Sequence, residues 1–379
     1  MTITAMQMVG SLNVGGAERV AVLLANGLAR RGFRSHLAAT RFLGPLKEAV
    51  DAGVSVWCAG KRHTLDLRCL RPVARYMDDH GIDVVHSHNH TVSYTARMSR
   101  WLARRKPAHV VHDHHGAAGT SRTLAALDWM FLRHADAYLS VSEALHERAR
   151  SLLGLPEDRC FYLRNGVEVY AAGPRWAGPP TVVQVATVRA WKDYETAVRA
   201  AAVLRRSWPD LSWVSMGAVA EASYGQQVRD LAESLGVAAC FRLLGAQKDV
   251  RPLLRKAHVG VLTSVAEGLP LSVLEYMAEG LPVVMTDVGQ APVLVRGAEA
   301  GLVVPPPSGS AAGPGSSPAR GGPWRRRWRA CPVVESISHY RACSRKATAA
   351  APCSQSPSEA RTGGGWWRPS SALTRWLTA

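Results

Sequence analysis

The stretch from Val259 to Thr286 constrains this chain more than any other, because its local signals allow one order of elements. Val259-Gly-Val-Leu-Thr-Ser264 and Pro282-Val-Val-Met-Thr286 are short, apolar and β-branched, as buried parallel strands are. Between them Pro270 suits a first helical position, Gly280 suits the residue just past a helix end, and Pro282 forbids continuation. The unit reads strand, loop, helix, strand, with Glu267 in the loop and Glu275 in the second helical turn. In such units a ligand sits beyond the carboxyl ends of the strands, where free N–H groups at the helix start favour an anion. Acceptor-only carboxylates there suit vicinal hydroxyls, which points to a ligand carrying both sugar and phosphate. Spacing alone equally allows two solvated helix charges.

The same alternation runs through most of the chain. Thr2 to Val9 reads as a strand and is followed by Gly10-Ser-Leu-Asn-Val-Gly15-Gly16-Ala-Glu18. An amphipathic helix comes next, with Val20, Leu23, Leu24 and Leu28 on one face and Gly32 closing it. Further strands are expected at 35–40, 82–86, 109–112, 137–141 and 160–163, then at 181–186, 211–216, 240–244, 259–264 and 283–286. This is the doubly wound α/β pattern, interrupted once by a Gly- and Pro-rich linker from Ala171 to Pro180. The organisation expected is a Rossmann-like domain over 1–170, a linker over 171–180, a second Rossmann-like domain over 181–307, and a tail over 308–379.

The segment from Glu267 through Gly280-Leu-Pro-Val-Val, with Thr286-Asp-Val-Gly289 after it, resembles the donor-site signature of retaining glycosyltransferases of family 4. The resemblance extends with gaps from about Met8 to Pro306 and implies the GT-B fold, in which two Rossmann-like domains face across a cleft. It implies that Glu267 approaches the donor sugar and Glu275 the nucleotide ribose, with Gly268, Leu269 and Leu271 also at the donor. It implies too that Gly15 and Gly16 face the donor diphosphate across the cleft. Asn165-Gly166-Val167 resembles the family's turn at the end of the first domain. One departure is visible: where the family usually has Gly-Gly-x-x-Glu, this chain reads Gly289-Gln-Ala-Pro-Val293.

Arg189 and Lys192 follow the first strand of the second domain, so both cations can reach the cleft. Transfer from a nucleotide sugar builds negative charge on the leaving phosphate, which fixed cations stabilise. The resemblance supports Lys192 strongly and Arg189 less, because the residues upstream read Ala186-Thr187. Exposed helix-start cations are the competing reading. No Asp-x-Asp motif is present to hold a divalent ion on a diphosphate, so metal-independent chemistry without a cofactor is expected. Two histidine clusters, His86-Ser-His88-Asn-His90 and His112-Asp-His114-His115-Gly116, could in principle bind metal, since alternate strand residues share a face. Both end apolar strands, and no pattern of acids that could hold the outer ring nitrogens accompanies them, so no metal site is expected. In the resembling family the histidine before glycine lies near donor sugar and acceptor, which implies that role for His115.

Composition bounds the rest. The formal charge of +17 suggests nucleic acid or an anionic surface, yet eleven of the Lys/Arg, against two Glu, lie beyond residue 307. No nucleic-acid partner is expected. That tail is rich in Gly, Pro, Ser, Arg and Trp and loses all periodicity where the resemblance stops, which predicts a disordered or frameshifted segment in place of the family's usual helices. Seven cysteines without a C-x-x-C pair argue for reduced thiols. No run of eighteen apolar residues exists and no signal peptide is read at the N-terminus, so a cytoplasmic protein is expected. Arg97-Met-Ser-Arg100-Trp101-Leu102-Ala-Arg104-Arg105-Lys106 could lie on an anionic membrane at its inner face, while the cleft takes a lipid-linked acceptor. A surface helix packed inward is the competing reading.

The activity expected is metal-independent, retaining transfer of a sugar from a nucleoside diphosphate to a hydroxyl acceptor. A donor-binding protein inactive for want of its C-terminal brace and a two-carboxylate glycoside hydrolase are the alternatives.

Overall fold

The computed structural model describes residues 2–64, 66–114, 122–170 and 176–306. The expected tail over 308–379, linker residues 171–175 and His115 lie outside the described residues.

The first domain contains β1 (Thr4–Ser11), α1 (Gly16–Arg30), β2 (Arg34–Phe42), β3 (Val54–Cys58), α2 (Leu70–Asp79), β4 (Val84–His88), α3 (His90–Leu102), β5 (Ala108–Asp113), α4 (Arg122–Leu132), β6 (Ala137–Ser140), α5 (Glu143–Leu153) and β7 (Cys160–Tyr162). Among the described residues, seven strands form one parallel sheet in the order β3-β2-β1-β4-β5-β6-β7. The second domain contains β8 (Thr181–Val185), α6 (Tyr194–Ser207), β9 (Ser212–Met216), α7 (Ala222–Ser234), β10 (Phe241–Leu243), α8 (Arg251–Leu254), β11 (Val259–Leu262), α9 (Leu271–Ala278), β12 (Val283–Thr286), α10 (Ala291–Gly297) and β13 (Gly301–Val304). Its six strands among the described residues are again parallel, in the order β10-β9-β8-β11-β12-β13. In each sheet the chain winds outward from the first strand to one edge and then to the other. That reversal puts the switch point at the carboxyl ends of β1 and β4 in one sheet, and of β8 and β11 in the other.

These two sheets are the Rossmann-like pair that the alternation predicted, with corrections in detail. β1 and β4 begin two residues later than expected, and β3 and β13 were not anticipated. Pro270 caps α9 instead of opening it, with an extended backbone at φ −68°, ψ 125°. Gly280 does follow the helix end, in the left-handed region at φ +68° that spares glycine a Cβ clash. The buried residues of α1 are Ala17, Val20, Ala21, Val22, Ala25, Asn26 and Leu28; Leu23 and Leu24 are only half-buried.

The packing of α9 fixes the donor-side element. Tyr276 is fully buried, and its hydroxyl accepts the Val185 N–H at 2.6 Å and donates to the Val261 carbonyl at 3.3 Å. The ring lies directly over Gly260, where a Cβ would stand 2.4 Å from it, so β11 needs a glycine there for α9 to approach. Glu275 is the neighbouring residue and is thereby held at the cleft. Among the described residues, Cys58, Cys69, Cys160 and Cys240 are all free thiols.

Candidate active site

The Glu267 loop is built from close backbone contacts. The Gln290 N–H donates to the Gly268 carbonyl at 2.8 Å, and Gly289, at φ +69°, brings its Cα so near that a Cβ would stand 2.4 Å from that oxygen. On its other side Gly268 abuts the first domain, where a Cβ would meet the His114 carbonyl oxygen at 2.8 Å. Both glycines are therefore steric requirements of the loop. Asn165 reaches across from the first domain to donate to the Leu269 carbonyl at 2.8 Å. Gln290 is buried, whereas Val293, in the family's usual glutamate position, is 55% exposed.

The loop carrying the cations is equally constrained. The Thr263 hydroxyl lies 2.9 Å from the carbonyls of both Lys192 and Asp193, and the Val265 N–H donates to the Trp191 carbonyl at 2.9 Å. Asp193 caps α6 through Thr196 while holding a left-handed backbone at φ 46°, a conformation costly for a non-glycine residue. The result is that the Lys192 ammonium is ion-paired with the Glu267 carboxylate, and both side chains are largely buried. Arg189 stacks over the Trp191 ring at 4.9 Å, with its Nε buried and without a hydrogen-bond partner.

Across the cleft, Gly15 is the extended N-cap of α1, and Gly16 faces Leu271, its Cβ position 3.8 Å from Leu271 Cδ1. A Cβ on Gly15 would collide with the Glu18 carboxylate at 2.3 Å. Burial pushes the Glu18 carboxyl above its usual range, opposed by a backbone hydrogen bond and by the Arg189 charge. Arg19 is the residue that sequence reasoning missed. It pairs with Glu275 at 3.0 Å and also donates to the carbonyls of Gln247 at 3.0 Å and Lys248 at 3.2 Å. Burial raises the Glu275 carboxyl as well, with Arg19 opposing the shift. The structure thus brings together Glu267, Lys192, Glu275 and Leu271 with Gly16 and Arg19 around one cleft. Two carboxylates, each already matched to a cation, face a helix N-terminus and a glycine turn.

At the inner end of the first domain, the expectation that no acids accompany the histidines is corrected. His90 begins α3, not a strand, and contacts Asp128 at 2.6 Å and Asp113 at 3.3 Å. Burial opposes its charge, but hydrogen bonds to Asp113 and Asp128 push its pKa up to about 10. Tyr94 also donates to Asp128. Arg97, expected as a surface cation, is buried against Trp101, 5.6 Å from the ring centroid.

The family profile described as Glycosyltransferase Family 4 matches residues 14–170, and the one described as Glycosyl transferases group 1 matches residues 179–312. The chain belongs to this glycosyltransferase family. It is 25% identical over 263 residues to EpsD of Bacillus subtilis (strain 168), a glycosyltransferase by its assigned name, covering 63% of this chain and 68% of that one. It is 28% identical over 265 residues to the D-inositol 3-phosphate glycosyltransferase of Nocardia farcinica, covering 56% of this chain and 59% of the relative. The chain therefore spans between half and about two thirds of such relatives. Among solved structures, Anabaena HepE in complex with UDP-glucose superposes with a TM-score of 0.69 at 18% identity, over 80% of this chain and 86% of that one. At that identity the likeness shows the GT-B fold.

Proposed function

We propose that this glycosyltransferase moves a sugar, with retention of configuration, from a nucleoside diphosphate donor to a hydroxyl acceptor, and needs no metal ion at the diphosphate. The observation that carries the reading is the Lys192–Glu267 pair beside the N-terminus of α9. A cation and helix N–H groups there can stabilise the leaving phosphate, while carboxylate oxygens take sugar and ribose hydroxyls. The bond from the sugar C1 to the phosphate oxygen breaks, and its electron pair stays on that oxygen. The acceptor oxygen bonds to C1 on the same face, and its proton passes to the leaving phosphate. No protein nucleophile is then needed. Arg189 and His115 are assigned to the phosphate and to the sugar respectively, on the family resemblance.

A thermal-shift screen against UDP-, GDP- and ADP-sugars tests the donor. The matching nucleotide sugar at 100 times its Kd should stabilise the chain by about 2.7 kcal/mol, and Glu275→Ala should abolish most of that shift. No shift with any nucleotide sugar would overturn the donor assignment. Product anomers read by NMR decide retention, and turnover unchanged by EDTA supports metal independence.

The acceptor we propose lies at a lipid surface. No helix among the described residues is long and apolar enough to cross a membrane. The end of α3 and the neighbouring α4 instead present Trp101, Leu102, Trp129 and Met130, each about half exposed. Arg133 stacks over Trp129 at 3.9 Å, and Arg104, Arg105 and Lys106 follow α3 directly. Half-exposed tryptophans flanked by cations fit an interfacial contact with anionic headgroups, and such a contact would lie at the inner face of the membrane. Co-sedimentation should rise with phosphatidylglycerol content and fall several-fold in Trp101→Ala/Trp129→Ala. Binding indifferent to anionic lipid would count against this placement.

A further inference from the structure

We propose that His86, His88 and His112 form a site for one divalent transition-metal ion of the zinc type, lying within the first domain and separate from the donor diphosphate. The topology creates it. His86 and His88 alternate on β4 and so share a face, and the parallel register with β5 sets His112 beside His88. One ligand nitrogen from each of the three lies within 4.8 Å of the others, and all three side chains are buried. Tetrahedral coordination at the usual zinc–nitrogen distance places ligand nitrogens about 3.4 Å apart. Closing the set therefore takes about an ångström of movement. The imidazole rings, stacked at centroid distances of 4.5 and 5.2 Å around His86, can supply this by turning about χ2, a soft torsion.

The surrounding hydrogen bonds suit a ligand set. His88 Nε2 lies 2.9 Å from Gln7 Oε1, so a proton on Nε2 makes Nδ1 the lone-pair nitrogen; a carbonyl oxygen holding the outer N–H is the usual support for a metal-bound imidazole. In that tautomer His88 Nδ1 accepts the His114 Nε2–H at 2.9 Å, so an ion on Nδ1 would replace this hydrogen bond and have a fourth imidazole at the edge of its set. Both ring nitrogens of His112 are buried without a hydrogen-bond partner, an arrangement that costs about 1–3 kcal/mol per group when nothing else engages them. Burial and neighbouring imidazoles also hold His86, His88 and His112 well below the usual histidine range, in the neutral form that ligates metals. An all-nitrogen set favours zinc, cobalt, nickel or copper over magnesium, calcium or manganese. The consequence for the enzyme follows from the His114 carbonyl, which abuts Gly268 beside Glu267. A bound ion would fix the end of β5 against the donor loop.

The full chain, stripped with chelator and dialysed, should take up about one equivalent of zinc or cobalt(II), read by elemental analysis, and gain thermal stability from either. Cobalt(II) should show the intense visible d–d bands of a tetrahedral nitrogen site, without thiolate charge-transfer absorption in the near ultraviolet. His112→Phe, which keeps the volume, should lose the equivalent, whereas His134→Gln should retain it. Absence of saturable binding, binding unchanged in His112→Phe, or a thiolate spectrum in the unaltered chain would each overturn the site. The spectrum decides even if the variant does not fold.

Discussion

Lys192→Ala is expected to lower turnover by about 10²–10³-fold, the loss seen when one preorganised group facing developing charge is removed. The physical ground is its position. Lys192 is anchored through its own carbonyl to Thr263, and its ammonium is held by Glu267 at the rim of the cleft. A charge fixed in advance reorganises little as the phosphate departs, so its effect is concentrated in the transition state and appears in kcat more than in KM. The variant also strands a carboxylate whose side chain is only 9% exposed, and breaking a buried pair costs about 3–5 kcal/mol of stability. Unfolding and lost chemistry are separated by Lys192→Met/Glu267→Gln, which removes both charges. That double variant should recover much of the melting temperature and none of the turnover. Activity of Lys192→Ala within a few-fold of the unaltered enzyme would remove Lys192 from the phosphate.

The donor loop was legible in the sequence because proline and glycine punctuate it. Pro270, Gly280 and Pro282 bracket α9 within a few residues, and the flanking β-branched runs could only be buried strands. Local signals of that kind carry no information about partners far along the chain. Arg19 lies 256 residues from Glu275, and nothing in Gly15-Gly16-Ala-Glu-Arg19 tells that its guanidinium crosses the cleft. β3 and β13 were missed for a related reason. Each is a short edge strand, and Val54-Ser-Val-Trp-Cys58 and Gly301-Leu-Val-Val304 are mostly half-buried, so their apolar pattern is incomplete. The histidines show the same limit in another form. Their alternation on β4 was readable, but the pairing of His88 with His112 is a property of register between strands, and the acids at His90 come from β5 and α4. The steric glycines fall between these cases. Gly268 and Gly289 belong to a recognisable motif, yet the reason for each is a carbonyl oxygen brought close only in the folded chain.

Stability is expected to fall steeply below pH 6.5, and His109 is a principal cause. Its ring is fully buried in β5, with Nε2 2.8 Å from the Ser87 hydroxyl. Burial, together with the charges of Arg97 and Arg100, lowers its pKa from 6.5 to about 3. Burial likewise lowers His36, which packs edge-on against Tyr76 and His80, to about 4. Above pH 6.5 both groups are neutral in the folded and unfolded chain and contribute nothing to pH dependence. Below it the unfolded chain takes up protons that the native chain excludes, so stability is lost as pH falls, until the folded pKa is reached. For His109 the loss is about 1.4 kcal/mol per pH unit, or about 2 kcal/mol at pH 5. That is a large share of the roughly 5–15 kcal/mol typical of a folded domain. Urea unfolding at pH 7 and pH 5 measures the difference, and His109→Gln supplies the control: an amide can still bond to Ser87 but does not titrate. The variant should be less stable than the unaltered chain at pH 7 and should lose about 2 kcal/mol less between the two pH values. Equal losses in the two proteins would show that protonation of His109 does not drive the acid limb. Because His109 and the Asp136 carboxylate that accepts its backbone N–H join β5 to the start of β6, the first domain should open before the second as the pH is lowered.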